Sequence, residues 1–284
     1  MGEKPPVEKV ALKFDPKILQ GLGAPLKTVT FKVFRYDPAK GDGVRYSSYE
    51  VPIFKGTTVL DALIYVKEKL DPSLTIRYSC RMAVCGSCGM VINGREMLAC
   101  KTQVEQLKSE TVVVRPLNNM PVSRDLVTDF DVFFKKHRAV LPHLIRDDLD
   151  VNINREFQQK PEEVYDYLMF ANCIKCGLCY SACPTNATDE LFLGPQAMSQ
   201  AYRYIADSRD DGHRQRMEVL DTKHALWNCH FAGSCSDVCP KGVDPAFAIQ
   251  QLKGMLFLKS SFLKRKRPAP NVPEAQKREL VPER

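Results

Sequence analysis

The chain has 284 residues, of which 44% are apolar and 26% charged, with a formal net charge of +7. That length holds one or two domains, each able to bury a core, and the composition is that of an ordinary globular protein. No apolar run approaches the ~20 residues that cross a bilayer. The N-terminus MGEKPPVEKVALKFDPKILQGLG mixes acids and bases without an apolar centre, so neither a secretory signal nor a transit peptide is expected.

Residues 1–27 read as an extension broken by Pro5, Pro6 and Pro25. TVTFKVFRY then alternates apolar and polar residues, as a half-buried strand does. YSSYEVPI is expected to be a second strand, terminated by Pro52. Thr57 or Thr58 can cap a helix running from Val59 to Val66. GMVI and REMLA flank Asn93-Gly94, a strong hairpin signal, and TVVVRPL supplies another strand. Residues 118 to about 160 read as a connector with some helix, in which Asp147, Asp148 and Asp150 form a solvated face. From Pro161 the pattern is helical. PEEVYDYLMF, PQAMSQAYRYIADSRD and PAFAIQQLKGMLF each begin at a proline suited to a first turn. Between Pro245 and Pro273 there is no acid, while Lys253, Lys259, Lys264, Arg265, Lys266 and Arg267 fall there. This stretch is either a solvated tail or a segment that meets anionic lipid headgroups. Nucleic acid is not an expected partner, because no recognition fold accompanies the charge.

The eleven cysteines divide into three groups. Cys80, Cys85, Cys88 and Cys100 follow C-x4-C-x2-C…C, the spacing of a plant-type [2Fe–2S] ferredoxin. Cys173, Cys176, Cys179 and Cys183 follow C-x2-C-x2-C-x3-C-P, the bacterial-ferredoxin spacing, in which the fourth cysteine ligates the other cluster. By that rule Cys239 completes a [4Fe–4S] site with Cys173, Cys176 and Cys179, and Cys183 joins Cys229 and Cys235. A full second motif would carry a cysteine three residues after Cys229. That position is Ala232, so three thiolates remain, which fits a [3Fe–4S] cluster. Zinc is the alternative for these groups, since C-x2-C elements also build zinc sites. An odd cysteine count in such spacings argues against a disulfide framework. Gly86, Gly89 and small Ala83 and Ser87 leave the first loop free to aim N–H groups at an inorganic core. Pro184 and Pro240 stop the turn after each closing cysteine. The expected fold is therefore α+β. An N-terminal β-grasp plant-type ferredoxin domain (28–130) is followed by an all-α bacterial-ferredoxin-type domain (131–258) and a basic, Pro-rich tail (259–284).

The motifs SCRMAVCGSCG…LAC, CIKCGLCYSACP and NCHFAGSCSDVCPKGVDP, in this order, closely resemble those of the iron–sulfur subunits of succinate dehydrogenase (succinate:quinone oxidoreductase) and quinol:fumarate reductase. The resemblance spans residues 28 to about 258. It implies an oxidoreductase subunit that relays electrons between a flavoprotein carrying FAD and a membrane quinone. It further implies a membrane-anchor subunit, with or without haem, and a peripheral position on the cytoplasmic face of the plasma membrane. Pro184, His230, Phe231, Ala232 and Lys253 correspond to the quinone end. Two features qualify the likeness. CPTNATDE lacks the tryptophan that many succinate dehydrogenases place after the C-P, and LWNC…GSCSDVCPKGVDPAFAIQQ is nearer to fumarate reductases, which implies a low-potential quinone such as menaquinone. A subunit of another multi-cluster redox complex is the competing expectation, and Ala232 argues against it.

Overall fold

The computed structural model describes residues 24–147 and 156–257. Most of the N-terminal extension, Asp148, Asp150, Lys259 and the basic run Lys264–Arg267 lie outside the described residues.

Strand β1 (Lys27–Asp37) pairs antiparallel with β2 (Asp42–Ile53) and parallel with β5 (Thr111–Arg115). Strands β3 (Gly89–Ile92) and β4 (Arg95–Leu98) form the hairpin around Asn93-Gly94, both at positive φ, and β3 also pairs with β5. The sheet order is β2-β1-β5-β3-β4. Helix α1 (Val59–Tyr65) starts from a capping box in which Thr58 and Asp61 satisfy each other's backbone N–H, and it buries Val59, Leu60, Ala62 and Leu63. Pro52 does not end its strand. It pairs with Thr28 inside β2, and β2 is an edge, where the N–H that proline lacks has no partner to lose. Residues 122–128, expected as connector, fold as a small hairpin of β6 (Val122–Arg124) and β7 (Val127–Thr128).

The period-two alternation of β1 buries Val29, Phe31 and Val33, and it also carries Arg35 inside. The Arg35 guanidinium donates to Asp125 Oδ1 (3.0 Å), Tyr49 Oη (2.8 Å), Ser73 Oγ (2.8 Å) and the Asp71 carboxylate. Asp125 also accepts from the N–H groups of Tyr36 and Thr75. One side chain thus ties β1, β2, the loop after α1 and the β6–β7 turn. Burial would raise the Asp71 carboxyl, but hydrogen bonds from Ser73, Tyr49 and Arg35 hold it well below the usual carboxylate range.

Helix α2 (Asp131–Ala139) leads into the helical unit, which has no strand among its described residues. The stretch expected as one helix from Pro161 is broken into α3 (Pro161–Tyr165) and α4 (Leu168–Ala171). The break turns Tyr167 into the interior, where its hydroxyl donates to Gln159 and accepts from Arg209. Then follow α5 (Leu178–Ser181), α6 (Pro184–Thr188), α7 (Pro195–Ile205), α8 (His213–Leu220), α9 (Ser234–Asp237) and α10 (Pro245–Phe257). Pro184 therefore opens a helix as well as closing a turn. Helix α7 is the hub, packing against α10, α4, α2 and α8 around Phe170, Met198, Leu220, Ile249 and Leu252.

The two units share a core. Cys176, Leu178 and Tyr180 belong to the same apolar cluster as the sheet. The Asn119 side-chain amide donates to the carbonyls of Tyr180, Ser181 and Cys183 (3.2, 2.9 and 3.1 Å), and Ser181 Oγ donates to Glu96 (2.9 Å). Gly86, at φ +76°, lies so close that a Cβ there would sit 2.8 Å from Cys176 Cβ and 2.9 Å from its Cα.

Replacing Arg35 with Leu leaves Asp125 buried without its ion partner, and full-chain stability should fall by about 3–5 kcal/mol in chemical denaturation. Tyr49→Phe should cost less, about 1–2 kcal/mol, because it removes the hydroxyl's bonds to Arg35 and Asp71 while both keep other partners. Gly86→Ala should lower the denaturation midpoint more than Gly94→Ala. Both carry the ~1–2 kcal/mol left-handed penalty, but Gly94 has no atom within 4 Å of its missing Cβ.

Candidate metal centres

The segment between α1 and β3 carries Cys80, Cys85 and Cys88, and Cys100 lies two residues after the end of β4. Left-handed backbone at Arg81 (φ 56°), Ala83 (φ 57°) and Gly86 curls this loop inward. As a result its N–H groups point at sulfur. Those of Met82, Val84 and Cys85 lie 3.4, 3.3 and 3.3 Å from Cys80 Sγ, and that of Ala83 lies 3.2 Å from Cys100 Sγ. Ser87 N–H reaches Cys85 Sγ at 3.4 Å, and Cys100 N–H reaches Cys88 Sγ at 3.5 Å. Such donors stabilise sulfur in its negative state. Hydrogen bonds from Ser87 and from the Cys80 backbone bring the exposed Cys85 thiol down to about 6. Burial pushes Cys88 up to about 12. Gly89 does not need unusual backbone. Its role is packing, since a Cβ there would come 3.1 Å from the Cys176 carbonyl oxygen. The left-handed Arg81 and Ala83 carry no signal in sequence, because such residues rarely take that conformation.

In the helical unit the cysteines line two hollows. Cys173, Cys176, Cys179 and Cys239 share the first with Gln196 and Ser199. Cys183, Cys229 and Cys235 share the second, whose wall includes Pro184, His230, Phe231 and Ala232. Each hollow thus draws cysteines from both motifs. The two motifs also repeat one backbone shape. Lys175 and Gly177 stand at φ 55° and 80°, and Phe231 and Gly233, at the matching distance from Cys229, stand at 57° and 77°. A one-turn helix follows each, Leu178–Ser181 and Ser234–Asp237. Ala232 occupies the place that Cys176 holds in the first copy.

The donor set fits iron–sulfur clusters. All eleven cysteines are free. Among the described residues no group of three or more His, Cys, Asp or Glu is placed to hold a metal ion, and the sulfurs surround hollows rather than a point. Burial raises the thiols of Cys173, Cys183 and, well above its ordinary value, Cys179. It takes Cys176 to about 12 and Cys235 to about 11, with neighbouring cysteine charges adding to the rise. Left alone, these thiols keep their protons, so several thiolates can share such a space only around a cationic core.

The remaining sequence candidates gather at the three-cysteine hollow. Pro184, His230, Phe231 and Ala232 are exposed at its mouth, with Phe231 59% exposed. Lys253, on α10, donates from Nζ to the Cys229 carbonyl at 2.9 Å, so it braces the cysteine backbone. Trp227 is half exposed and donates to Asp221 at 2.6 Å, and His224 pairs with Asp189 at 2.8 Å. Sequence reasoning passed over Gln196 and Ser199. Their signal was available: Gln196, Ser199 and Gln200 make a polar stripe at i, i+3 and i+4 on a helix with a buried face.

Two family models match the chain. One, a 2Fe-2S iron-sulfur cluster binding domain, covers residues 30–135, and the other, a 4Fe-4S dicluster domain, covers residues 169–243. The fumarate reductase iron-sulfur subunit of Haemophilus influenzae is 44% identical over 232 residues, which is 78% of this chain and 90% of that protein. Its counterpart from Mycobacterium tuberculosis is 45% identical over 225 residues, covering 79% and 91%. The succinate dehydrogenase iron-sulfur subunit of Paracoccus denitrificans is 39% identical over 228 residues, covering 80% and 87%. Among solved structures, a chain of the Mycobacterium smegmatis Sdh1 complex in the apo form superposes with a TM-score of 0.73 at 27% identity, over 86% of this chain and 99% of that one. With two cluster-binding domains in order and relatives matched over nearly their whole length, the chain belongs to the family of succinate dehydrogenase and fumarate reductase iron–sulfur subunits, and is an oxidoreductase subunit.

Proposed function

We propose that this chain is the electron-transfer subunit of a membrane-bound succinate:quinone oxidoreductase, relaying electrons between a flavoprotein carrying FAD and a membrane quinone. Cys80, Cys85, Cys88 and Cys100 would hold a [2Fe–2S] cluster, Cys173, Cys176, Cys179 and Cys239 a [4Fe–4S] cluster, and Cys183, Cys229 and Cys235 a [3Fe–4S] cluster. Bound there, the clusters supply one-electron carriers whose potentials differ with type and surroundings. The functional division is a [2Fe–2S] domain over 28–130 and a two-cluster domain over 131–258.

The observation that carries this reading is the arrangement of the three cysteine groups along one line of contact. The first loop touches Cys176 through Gly86 with no side chain between. The four-cysteine and three-cysteine hollows interleave through Cys183 and Cys239. Both outer groups open to the surface beside apolar side chains. Met82 (71% exposed) and Val84 stand at the first loop, and Phe231 and Trp227 stand at the last. These patches suit protein partners: the flavoprotein at the first, and an integral membrane anchor, with or without haem, at the last. No described helix is long and apolar enough to cross a membrane. In this proposal the chain sits peripherally on the cytoplasmic face of the plasma membrane, held by that anchor. At the last hollow His230 offers a ring nitrogen to quinone, Pro184, Phe231 and Ala232 shape the opening, and Lys253 fixes the Cys229 backbone.

Identities of 44% and 45% to fumarate reductase subunits, against 39% to a succinate dehydrogenase subunit, favour a second reading of direction: the complex works mainly as a quinol:fumarate reductase with menaquinol. Fumarate reduction by a menaquinol analogue should then outpace succinate oxidation in the same membranes.

Purified complex should contain about nine irons per copy of this chain, with matching acid-labile sulfide. Low-temperature EPR should show a [3Fe–4S] signal in the oxidised state that vanishes on mild reduction, then a [2Fe–2S] signal. Zinc without sulfide, or two reduced cubanes and no oxidised-state signal, would sink the assignment. Ala232→Cys should convert the third centre to a cubane, abolish the oxidised-state signal and slow quinone-linked turnover. An unchanged signal would reject the role given to Ala232.

A further inference from the structure

Helix α7 presents two polar side chains to the four-cysteine hollow, and neither belongs to the cysteine motifs. Gln196 and Ser199 are 2% and 1% exposed, and both line the hollow together with Cys173, Cys176, Cys179 and Cys239. Ser199 Oγ has no hydrogen-bond partner among the described residues. A buried hydroxyl without a partner is uncommon and calls for a group that the protein alone does not supply. Gln196 Oε1 lacks a partner too, but it only accepts, so sulfur cannot serve it. The other end of the Gln196 amide is engaged. Its Nε2 lies 3.2 Å from Nδ1 of the buried His137 on α2, and the Gln196 side chain also hydrogen-bonds Cys173. An amide nitrogen has two N–H bonds, so one can point at the imidazole and the other at sulfur. With Gln196 donating, His137 accepts at Nδ1 and carries its proton on Nε2.

We infer that Gln196, aimed by His137, and Ser199 donate hydrogen bonds to the sulfur of the cluster in this hollow and raise its reduction potential. This rests on the assignment of a [4Fe–4S] cluster to these four cysteines. Thiolate and sulfide are acceptors only, and the amide N–H and serine O–H are the donors this wall of the hollow provides. Reduction adds one electron and no proton, so the reduced state is the more negative. Donors favour that state, and the potential rises with each. His137 touches the amide and not the cysteines in the contacts seen, so it is a positioning residue. This polar stripe places side chains outside the ligand set that act on the potential of one centre.

The test is a redox titration of the assembled complex, followed by EPR of the reduced cubane, with iron and sulfide measured on each sample. Gln196→Leu should lower the midpoint potential of that centre by about 59 mV, a tenfold shift in its one-electron equilibrium. Ser199→Ala should move it the same way, and Ser199→Thr, which keeps the hydroxyl, should restore it. His137→Phe should lower it partly, and should add nothing in the Gln196→Leu background, because the two act as one unit. The potentials of the other two centres should stay in place. Unshifted midpoints in both Gln196→Leu and Ser199→Ala, with iron content intact, would overturn the inference. If Gln196→Leu loses the cluster, Ser199→Ala and Ser199→Thr decide alone. Absence of any reduced-cubane signal in the unaltered complex would overturn the [4Fe–4S] assignment first, and this inference with it.

Discussion

One contact sets the distance between the two halves of the molecule: the backbone of the Cys85–Cys88 loop lies directly on the backbone of Cys176. Nothing larger than hydrogen fits at Gly86, and Gly89 presses on the Cys176 carbonyl from the same side. The surrounding structure is organised to hold this approach. Leu178 and Tyr180 enter the core beneath the sheet, and the Asn119 amide gathers the carbonyl groups of Tyr180, Ser181 and Cys183. Arg95 and Lys101 reach across to the carbonyls of Asp237 and Pro240. The sheet and the helices are therefore less like two beads on a string than like two hands closed on one seam.

Charge is buried in this chain in two contrasting ways. At Arg35 the protein supplies both signs itself. A guanidinium stands between two carboxylates, and hydrogen bonds engage all three of its nitrogens. At the cysteines it supplies only one sign. Backbone N–H groups soften the cost in the exposed first loop, but in the deeper hollows burial outweighs them, and the thiols are driven toward the neutral form. The first arrangement is complete without help. The second requires a cationic core, and this difference separates a structural ion network from a cofactor site.

Cysteine spacing made the candidate centres legible, since ligands to one inorganic core must recur at distances that a short loop can span. The Asn93-Gly94 hairpin, the Thr58 cap and the proline-led helices were legible for the same local reason. What escaped depended on tertiary context. Pro52 stays within its strand only because β2 is an edge, and Tyr167 breaks a helical pattern in order to reach the interior. The hairpin at 122–128 is too short to carry a periodic signal, and it exists because Asp125 at its turn is claimed by Arg35 on a distant strand. Arg81, Ala83, Lys175 and Phe231 adopt left-handed backbone for which their residue types have no preference.

The crossing of cysteines between the two helical motifs also bears on how the protein is made. Cys239 stands in the hollow built by Cys173, Cys176 and Cys179, and Cys183 stands with Cys229 and Cys235. Neither chamber can be walled by a nascent chain until synthesis has passed both motifs and the intervening α7 and α8 have folded back. A chain cut or stalled between Cys183 and Cys229 thus has no finished chamber to offer, and under the cluster assignment proposed above the laced loops would distinguish a complete polypeptide from a fragment before any metal is taken up.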